Sequence, residues 1–193
     1  AMVRPRGGDF LYTEAEFATM LADVALMRDS GIAGVVAGCL VPDGRIDLPR
    51  MAQIVVAADG LPVTCHRAFD MTRDPFEALE ALIAAGVTRV LTSGQKAHVR
   101  EGMPLLHALV ARARGRITIL VCGALSPAEM DPGDTGLTGY EFHFGAGTIW
   151  DSPMAYRNPD VFMGMDAATS PEYLRRRLDT AALPAMIARA RGA

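Results

Sequence analysis

Polar side chains that could bind a ligand or take part in catalysis follow several apolar, strand-like runs of this 193-residue chain. Three runs show the pattern most clearly: Val63–Asp70, Arg89–Gly94 and Glu141–Gly147. Each comes after a helix-like segment, so strand, polar turn and helix repeat along the chain. In a parallel α/β protein the carboxyl ends of the strands meet at one rim, where ligands bind. The sequence therefore predicts a ligand site at this rim.

Period-two alternation sorts the strand residues into two faces. In Tyr140–Phe144 the aromatic residues take one face, and Glu141 and His143 take the other, inner face. The same alternation directs His66 inward and places Cys122 on the less apolar face of its strand. With the flanking loops, the predicted inner rim comprises Arg4, Arg6, His66, Arg67, Asp70, Thr92, Ser93, Cys122, Glu141 and His143.

A soft-metal site is the first chemistry that these residues suggest. Cys122, His143 and His66 are suitable ligands for Cu(I) or Zn²⁺. No C-x-x-C or H-x-x-x-H spacing marks such a site, and a free cysteine in a strand is commonly a small buried hydrophobe. Cys122 and His143 are therefore candidate copper ligands, with simple core packing of the thiol as the alternative.

An anion site is the second chemistry. Gly123 and Gly145 follow the last two strands, where many barrels hold a phosphate on backbone N–H groups, and Thr92 and Ser93 lie at the same rim. Glycines that only make tight turns are the alternative.

Charge for a carboxylate or phosphate would come from Arg4, Arg6 and Arg67. These arginines are equally suited to ion pairs with neighbouring carboxylates, and Arg67 with Asp70 is the clearest such pair.

Acid–base catalysis is the third chemistry. Burial and neighbouring charge shift carboxyl and imidazole groups towards neutral pKa values, so Glu141 with His143 or His66 is a candidate catalytic pair. A hydrogen-bonded buried histidine is also a common structural feature. The residues alone leave both interpretations open.

Composition excludes several function classes. Half of the chain is hydrophobic and the formal net charge is −3, which gives no electrostatic footprint for nucleic acid. Arg175–Arg177 is interpreted as the solvated face of a late helix. No apolar run approaches the length of a membrane span. Three cysteines, an odd number, argue for a reducing compartment, so we expect a cytoplasmic protein.

About six strands alternate with helices, which predicts a mostly parallel α/β sheet of the TIM type with six of eight units represented. Helix starts are marked by the capping box Thr13–Glu16 and by Asp74–Glu77. We predict one domain over residues 1–193: strand–helix units over 1–144, then an irregular stretch and a terminal helical region over 145–193.

Five blocks of the sequence carry a family resemblance. In order and spacing, the chain resembles the CutC family in Arg4–Phe10, Thr64–Asp70, Arg89–Gln95, Glu141–His143 and Ser152–Asn158. The resemblance implies a cytoplasmic TIM-type barrel named as a copper homeostasis protein, with Cu(I) binding and oligomers described for some members. No accepted reaction goes with the family.

The chain departs from the family at its start and at two cysteines: Cys65 stands where the family more often has an aromatic residue, and Cys122 falls in a stretch where the family is typically Gly-rich. It resembles the family from the third strand onwards, so the first two strand–helix units are absent, and the cysteines usually proposed as copper ligands lie on those units. They correspond to no residue here. His66 and Arg67 match the family's His-Arg strand, and Glu141 and His143 match its Glu-x-His strand. A barrel without two units exposes sheet edges, which predicts a homo-oligomer.

Two functions are therefore expected. The resemblance implies copper homeostasis with Cu(I) as the bound ion. The residues themselves favour a small anionic ligand, or an enzyme acting on one, with no nucleic-acid or membrane partner.

Overall fold

The computed structural model describes residues 1–123, 140–143, 147–157 and 174–190, which fall into two compact units, Ala1–Phe144 and Gly145–Ala193. The helices of the first unit are α1 (Glu14–Asp29), α2 (Leu48–Ala58), α3 (Pro75–Ala84) and α4 (Val99–Ala113), with a short 3-10 helix at Phe69–Met71. Its strands are β1 (Val35–Ala37), β2 (Val63–Cys65), β3 (Arg89–Thr92), β4 (Thr118–Val121) and β5 (Glu141–Phe142). Within the described residues no helix is long and apolar enough to cross a membrane.

The strands of the first unit form one parallel sheet in the order β1-β2-β3-β4-β5. Met2 adds a parallel bridge to Val36, next to β1. Six parallel segments are therefore described, and the first five alternate with helices α1 to α4, which confirms the predicted α/β class of the TIM type. Because all these strands run in one direction, their carboxyl ends, with the polar residues that follow, share one edge of the sheet.

One face of the sheet packs against the helices. Its residues are buried hydrophobic side chains: Val35, Ala37, Val63, Cys65, Val90, Ile119 and Val121. Register places Thr64 beside Arg89, and Leu120 beside Glu141, on the opposite face. This is the division into two faces that the alternation predicts.

The predicted helix starts at Thr13 and Asp74 are confirmed. Thr13 and Glu16 form a complete capping box, and the Asp74 carboxylate accepts the N–H groups of Phe76 and Glu77. The helix expected from Met103 begins earlier, at Val99. Gly102 in its first turn lies so close to the end of β3 that a Cβ would stand 1.9 Å from the Ser93 carbonyl oxygen.

The second unit contains an antiparallel pair of strands, β6 (Gly147–Asp151) and β7 (Leu174–Leu178), followed by α5 (Leu183–Ala190). Two expectations are wrong here: Arg175–Arg177 lies in a strand, and part of the stretch after Phe144 is regular. Trp150 pairs with Arg175 across the strands, and the guanidiniums of Arg175 and Arg177 lie over its ring at 5.2 and 5.3 Å. This cross-strand stacking favours the extended backbone over a helix. Ser170–Glu172, expected to open the helix, lies outside the described residues.

Candidate functional site

A cavity of about 390 Å³ opens at the carboxyl ends of the strands, and we call it the rim cavity. Its lining consists of Met2, Arg4, Phe10, His66, Arg67, Leu91, Cys122, Gly123 and His143. Six of these nine residues belong to the site predicted from the sequence. The parallel register brings them together, because each follows or ends a strand at the same edge.

His66 is held tightly at the end of β2. Its backbone N–H donates to the Ala37 carbonyl, and its Nδ1 accepts the backbone N–H of Ala68 at 3.2 Å. The Phe10 ring lies 4.9 Å from the imidazole, centroid to centroid. The Gly38 backbone also lies against the imidazole, since a Cβ added at Gly38 would stand 2.7 Å from both Nδ1 and Cε1. These contacts leave the ring little freedom to turn.

Burial controls the charge of His66. The side chain is only 4% exposed, and desolvation, assisted by the positive charge of Arg4, lowers the pKa of His66 to about 4. The imidazole is therefore uncharged at neutral pH. Among the residues that the structure describes, no group lies within hydrogen-bond range of its buried Nε2.

Arg67 is anchored by a buried carboxylate. Its Nε donates to Asp70 at 2.8 Å, and its Nη2 donates to the Ser93 hydroxyl at 2.8 Å. The Asp70 side chain, 6% exposed, also accepts the Thr92 hydroxyl and the backbone N–H groups of Ser93 and Gln95. Thr92 and Ser93 thus hold Asp70, and Asp70 orients Arg67 towards the rim cavity.

The two loop arginines have separate surroundings. Arg4 lies over the Phe10 ring at 4.8 Å, donates to the Gly8 carbonyl and lines the rim cavity. Arg6 is bound to Glu16 at 2.7 Å and to Asp9 at 2.9 Å, and it is absent from the lining. Those two hydrogen-bonded carboxylates raise the pKa of Arg6. Arg4 and Arg67, without Arg6, are therefore the arginines of the cavity.

Cys122 and His143 both line the rim cavity, but they make an incomplete set of metal ligands. Cys122 is 4% exposed, and desolvation raises the pKa of its thiol to about 11, so the thiol is protonated at neutral pH. Cu(I) prefers several soft sulfur ligands. Over the described ranges, no group of three or more His, Cys, Asp or Glu side chains is placed to hold a metal ion.

Glu141 lies apart from the other candidate catalytic residues. It is the first residue of β5, in register with Leu120 of β4, and its carboxylate accepts a hydrogen bond from Nε of Arg89 at 2.7 Å. Glu141 therefore pairs with Arg89. It lies on the same face of the sheet as His143, but it is not among the residues that line the rim cavity. Gly145, the second predicted phosphate-binding glycine, lies outside the described residues.

Sequence reasoning missed three contributors to the site. Gly38 leaves room for the His66 ring, Phe10 packs against that ring, and the Gln95 side chain donates to Thr72 at 2.8 Å beside the Asp70 network. A glycine within a strand-like run was the available signal for Gly38, because it often marks a close approach. The other two depend on contacts across long sequence separations and gave no local signal.

The observed arrangement is that of a parallel (β/α) protein whose strands carry polar and charged side chains into a cavity at their carboxyl ends. The chain belongs to the CutC family, whose family model matches residues 1–138.

Relatives and a solved structure support this assignment. A "family protein CutC" of Mesorhizobium japonicum is 55% identical over 192 residues, covering 98% of this chain and 73% of the relative. One of Parabacteroides distasonis is 49% identical, covering 88% of this chain and 70% of the relative. The crystal structure of the "Putative Copper Homeostasis Protein CutC" from Streptococcus agalactiae is similar at a TM-score of 0.68 and 31% identity. That match covers 73% of this chain and 70% of the other.

Proposed function

We propose that this protein binds a small anionic molecule, carrying a carboxylate or a phosphate, in the rim cavity. The observation that supports the proposal is the convergence on one cavity of Arg4, Arg67 and the Nε2 of His66, for which the described residues offer no hydrogen-bond partner. Guanidinium groups bind carboxylate and phosphate oxygens through paired N–H donors. Phe10 and Leu91 complete the lining with apolar surface, as is usual for small-molecule sites.

The charge balance of the cavity supports an anion. Asp70 offsets the charge of Arg67. Arg4 forms none of the ion pairs found within the described ranges; its guanidinium donates to the Gly8 carbonyl and lies over the Phe10 ring. His66 adds a donor without a charge. An incoming anion would therefore meet a net positive cavity that is partly shielded from water, where charge interactions are stronger than in bulk solvent.

Binding of simple anions tests this proposal. Inorganic phosphate and malonate, titrated separately, are expected to raise the melting temperature, because a ligand that binds only the folded state stabilises it. Arg4→Gln should abolish the rise. Arg45→Gln, which removes an exposed arginine that pairs with Asp43, is the matched control and should retain it. A melting temperature that neither anion changes, or an equal rise in all three proteins, would reject the proposal.

Chemistry on the ligand is part of the same proposal, without an assigned reaction. His66, Glu141 and His143 were the candidate acid–base residues, and Glu141 lies in an ion pair with Arg89. In the uncharged His66 ring Nδ1 already accepts the Ala68 N–H and Nε2 carries the proton, so the ring has no free lone pair to act as a base, and His143 is the remaining candidate for proton transfer in the rim cavity.

Copper handling is the second candidate function. Its support is the name of the Streptococcus agalactiae relative, which refers to copper homeostasis, and the presence of Cys122 and His143 in one cavity. Because these two ligands fall short of a complete Cu(I) site, tight binding would need further sulfur ligands.

An anaerobic Cu(I) competition titration distinguishes the two functions. Under the copper hypothesis Cys122→Ser loses one tight equivalent, whereas Cys39→Ser, which alters another buried thiol, retains it. Equal weak binding by the parent and both variants would favour the anion site.

The cytoplasmic location and the homo-oligomeric state remain proposals from the family resemblance. Light scattering coupled to size-exclusion chromatography tests the second: a mass near 20.6 kDa would reject it.

A further inference from the structure

We infer that His66 recognises the bound anion as an uncharged hydrogen-bond donor, presenting Nε2–H to an oxygen atom of the ligand. This inference rests on the proposed function and specifies what the site requires of its ligand: an acceptor oxygen beside the charge that Arg4 and Arg67 bind. It also assigns His66 a role other than metal ligation or general base catalysis.

The hydrogen bond at the other ring nitrogen defines the tautomer. Nδ1 accepts the backbone N–H of Ala68, so Nδ1 carries a lone pair and no proton. A neutral imidazole has one N–H, which must then be on Nε2. The donor is a main-chain group two residues away, inside the turn that leads into the 3-10 helix Phe69–Met71. A local backbone hydrogen bond therefore determines the tautomer of His66.

Packing prevents the ring from turning over about its Cβ–Cγ bond. Gly38 and Phe10 enclose the imidazole, and even a methyl group at Gly38 would overlap Nδ1 and Cε1. A ring turned over about its Cβ–Cγ bond would place the Cδ2–H group, which accepts no hydrogen bond, against the Ala68 N–H and would lose the existing hydrogen bond. The cavity-lining imidazole is therefore held in one orientation.

The Nε2–H donor itself is unsatisfied within the described part of the chain. Nε2 is buried, and no described acceptor lies in range. A buried donor without a partner destabilises the folded state, and natural proteins satisfy nearly all such groups. An oxygen of a bound ligand would satisfy it in the cavity that His66 lines.

The donor set restricts the ligand class. An N–H group donates to a lone pair on the ligand, and a bare cation has no lone pair that could accept this hydrogen bond. Metal binding at Nε2 would require the proton to move to Nδ1 and would break the bond to Ala68. The cavity volume of about 390 Å³ suits a small organic acid or phosphate ester. The three donors together specify an anion with at least two acceptor oxygens.

The test compares two substitutions of His66 with inorganic phosphate and malonate as separate probes. His66→Gln keeps an N–H donor of similar reach, and its dissociation constant should stay within about threefold of the parent value. His66→Leu removes the donor at similar volume and should weaken binding at least about tenfold. Isothermal titration calorimetry at pH 7.5 measures both, with Arg4→Gln as the reference for the site as a whole.

Nitrogen-15 NMR of the parent protein provides the second measurement, which requires no variant to fold. The expected spectrum has the His66 proton on Nε2 without ligand and a shifted Nε2–H resonance with phosphate or malonate.

The possible outcomes separate the inference from the proposed function. A proton on Nδ1, or unchanged binding by His66→Leu while Arg4→Gln loses binding, would overturn the inference and leave the anion site intact. Binding by neither probe, or equal binding by Arg4→Gln and the parent, would overturn the proposed function and the inference with it.

Discussion

Two arginine–carboxylate pairs on the same parallel sheet differ in their surroundings. At the carboxyl ends of the strands Arg67 pairs with Asp70 at 2.8 Å, whereas Arg89, the first residue of β3, pairs with Glu141, the first residue of β5, at 2.7 Å. The distances are nearly equal. The Asp70 side chain is 6% exposed, however, whereas that of Glu141 is 45% exposed.

The difference lies in how many groups depend on each carboxylate. Asp70 accepts hydrogen bonds from the Thr92 hydroxyl and from the backbone of Ser93 and Gln95, so it connects β3 to the turn after β2. Glu141 has Arg89 as its partner, in contact with solvent. The same residue types therefore form a structural anchor beside the cavity and a solvated pair elsewhere on the sheet.

The largest expected effect is the loss of the Asp70 carboxylate. Asp70→Ala should lower the free energy of unfolding by about 4 kcal/mol, because it leaves buried donors and the Arg67 charge without a partner. Glu141→Ala, the control from the solvated pair, should cost less than about 1 kcal/mol. Urea unfolding measures both, and equal losses would contradict the comparison.

The charge state of His66 predicts a pH dependence at the cavity end. The pKa of His66 is about 4 in the folded chain, below its ordinary value of 6.5, so the unfolded chain binds the proton more tightly. The free energy of unfolding should therefore rise with pH between about 4 and 6.5, by about 3 kcal/mol in total. Denaturant titrations at several pH values measure this rise. In His66→Gln the contribution of about 3 kcal/mol to the pH dependence should be absent. Identical profiles for the two proteins would contradict the shift.

The packing of Gly38 against His66 predicts a smaller effect. Gly38→Ala places a Cβ 2.7 Å from the imidazole and 2.9 Å from the Ala68 Cβ, so the cost should be about 1–3 kcal/mol of stability, with a displaced His66 resonance. Gly7→Ala is the matched control, since no atom lies within 4 Å of its added Cβ. A thermal melt of each variant measures the loss of stability, and an NMR spectrum of each shows whether the His66 resonance has moved. A Gly38→Ala protein with an unchanged melting temperature and an unmoved His66 resonance would show that the ring is loosely held.

The smallest expected effect is the coupling of Arg89 to Glu141. A double-mutant cycle with alanine at both positions should give a coupling below about 1 kcal/mol that decreases as salt is added. A coupling as strong as the one that the same cycle gives for Arg67 with Asp70 would remove the contrast between the two pairs.

Local patterns in the sequence predicted much of the site. Alternation in β2 and β5 directed His66 and His143 to the inner face, and both line the rim cavity with Cys122. The prediction succeeds because a strand's side chains alternate regardless of what surrounds it. It could not show that Arg6 pairs with Glu16 or that Glu141 pairs with Arg89, since each partner lies ten or more positions away.

The antiparallel strands β6 and β7 show where local patterns fail. Leu174–Leu178 contains three consecutive arginines, a composition as compatible with a helix as with a strand. Its extended form follows from pairing with Gly147–Asp151 and from the stacking of Arg175 on Trp150. Pairing between distant segments overrides weak local propensity.

The sequence by itself determined the parallel α/β class, the helix starts at Thr13 and Asp74, and the edge of the sheet at which polar groups collect. These features follow from periodicity and capping, which act over a few residues. Only the tertiary structure decided which arginines face the cavity, that Asp70 is an anchor, and that His66 is an uncharged ring with one bonded nitrogen. Burial and hydrogen-bond partners determine those properties, and both are set by segments that meet only when the chain is folded.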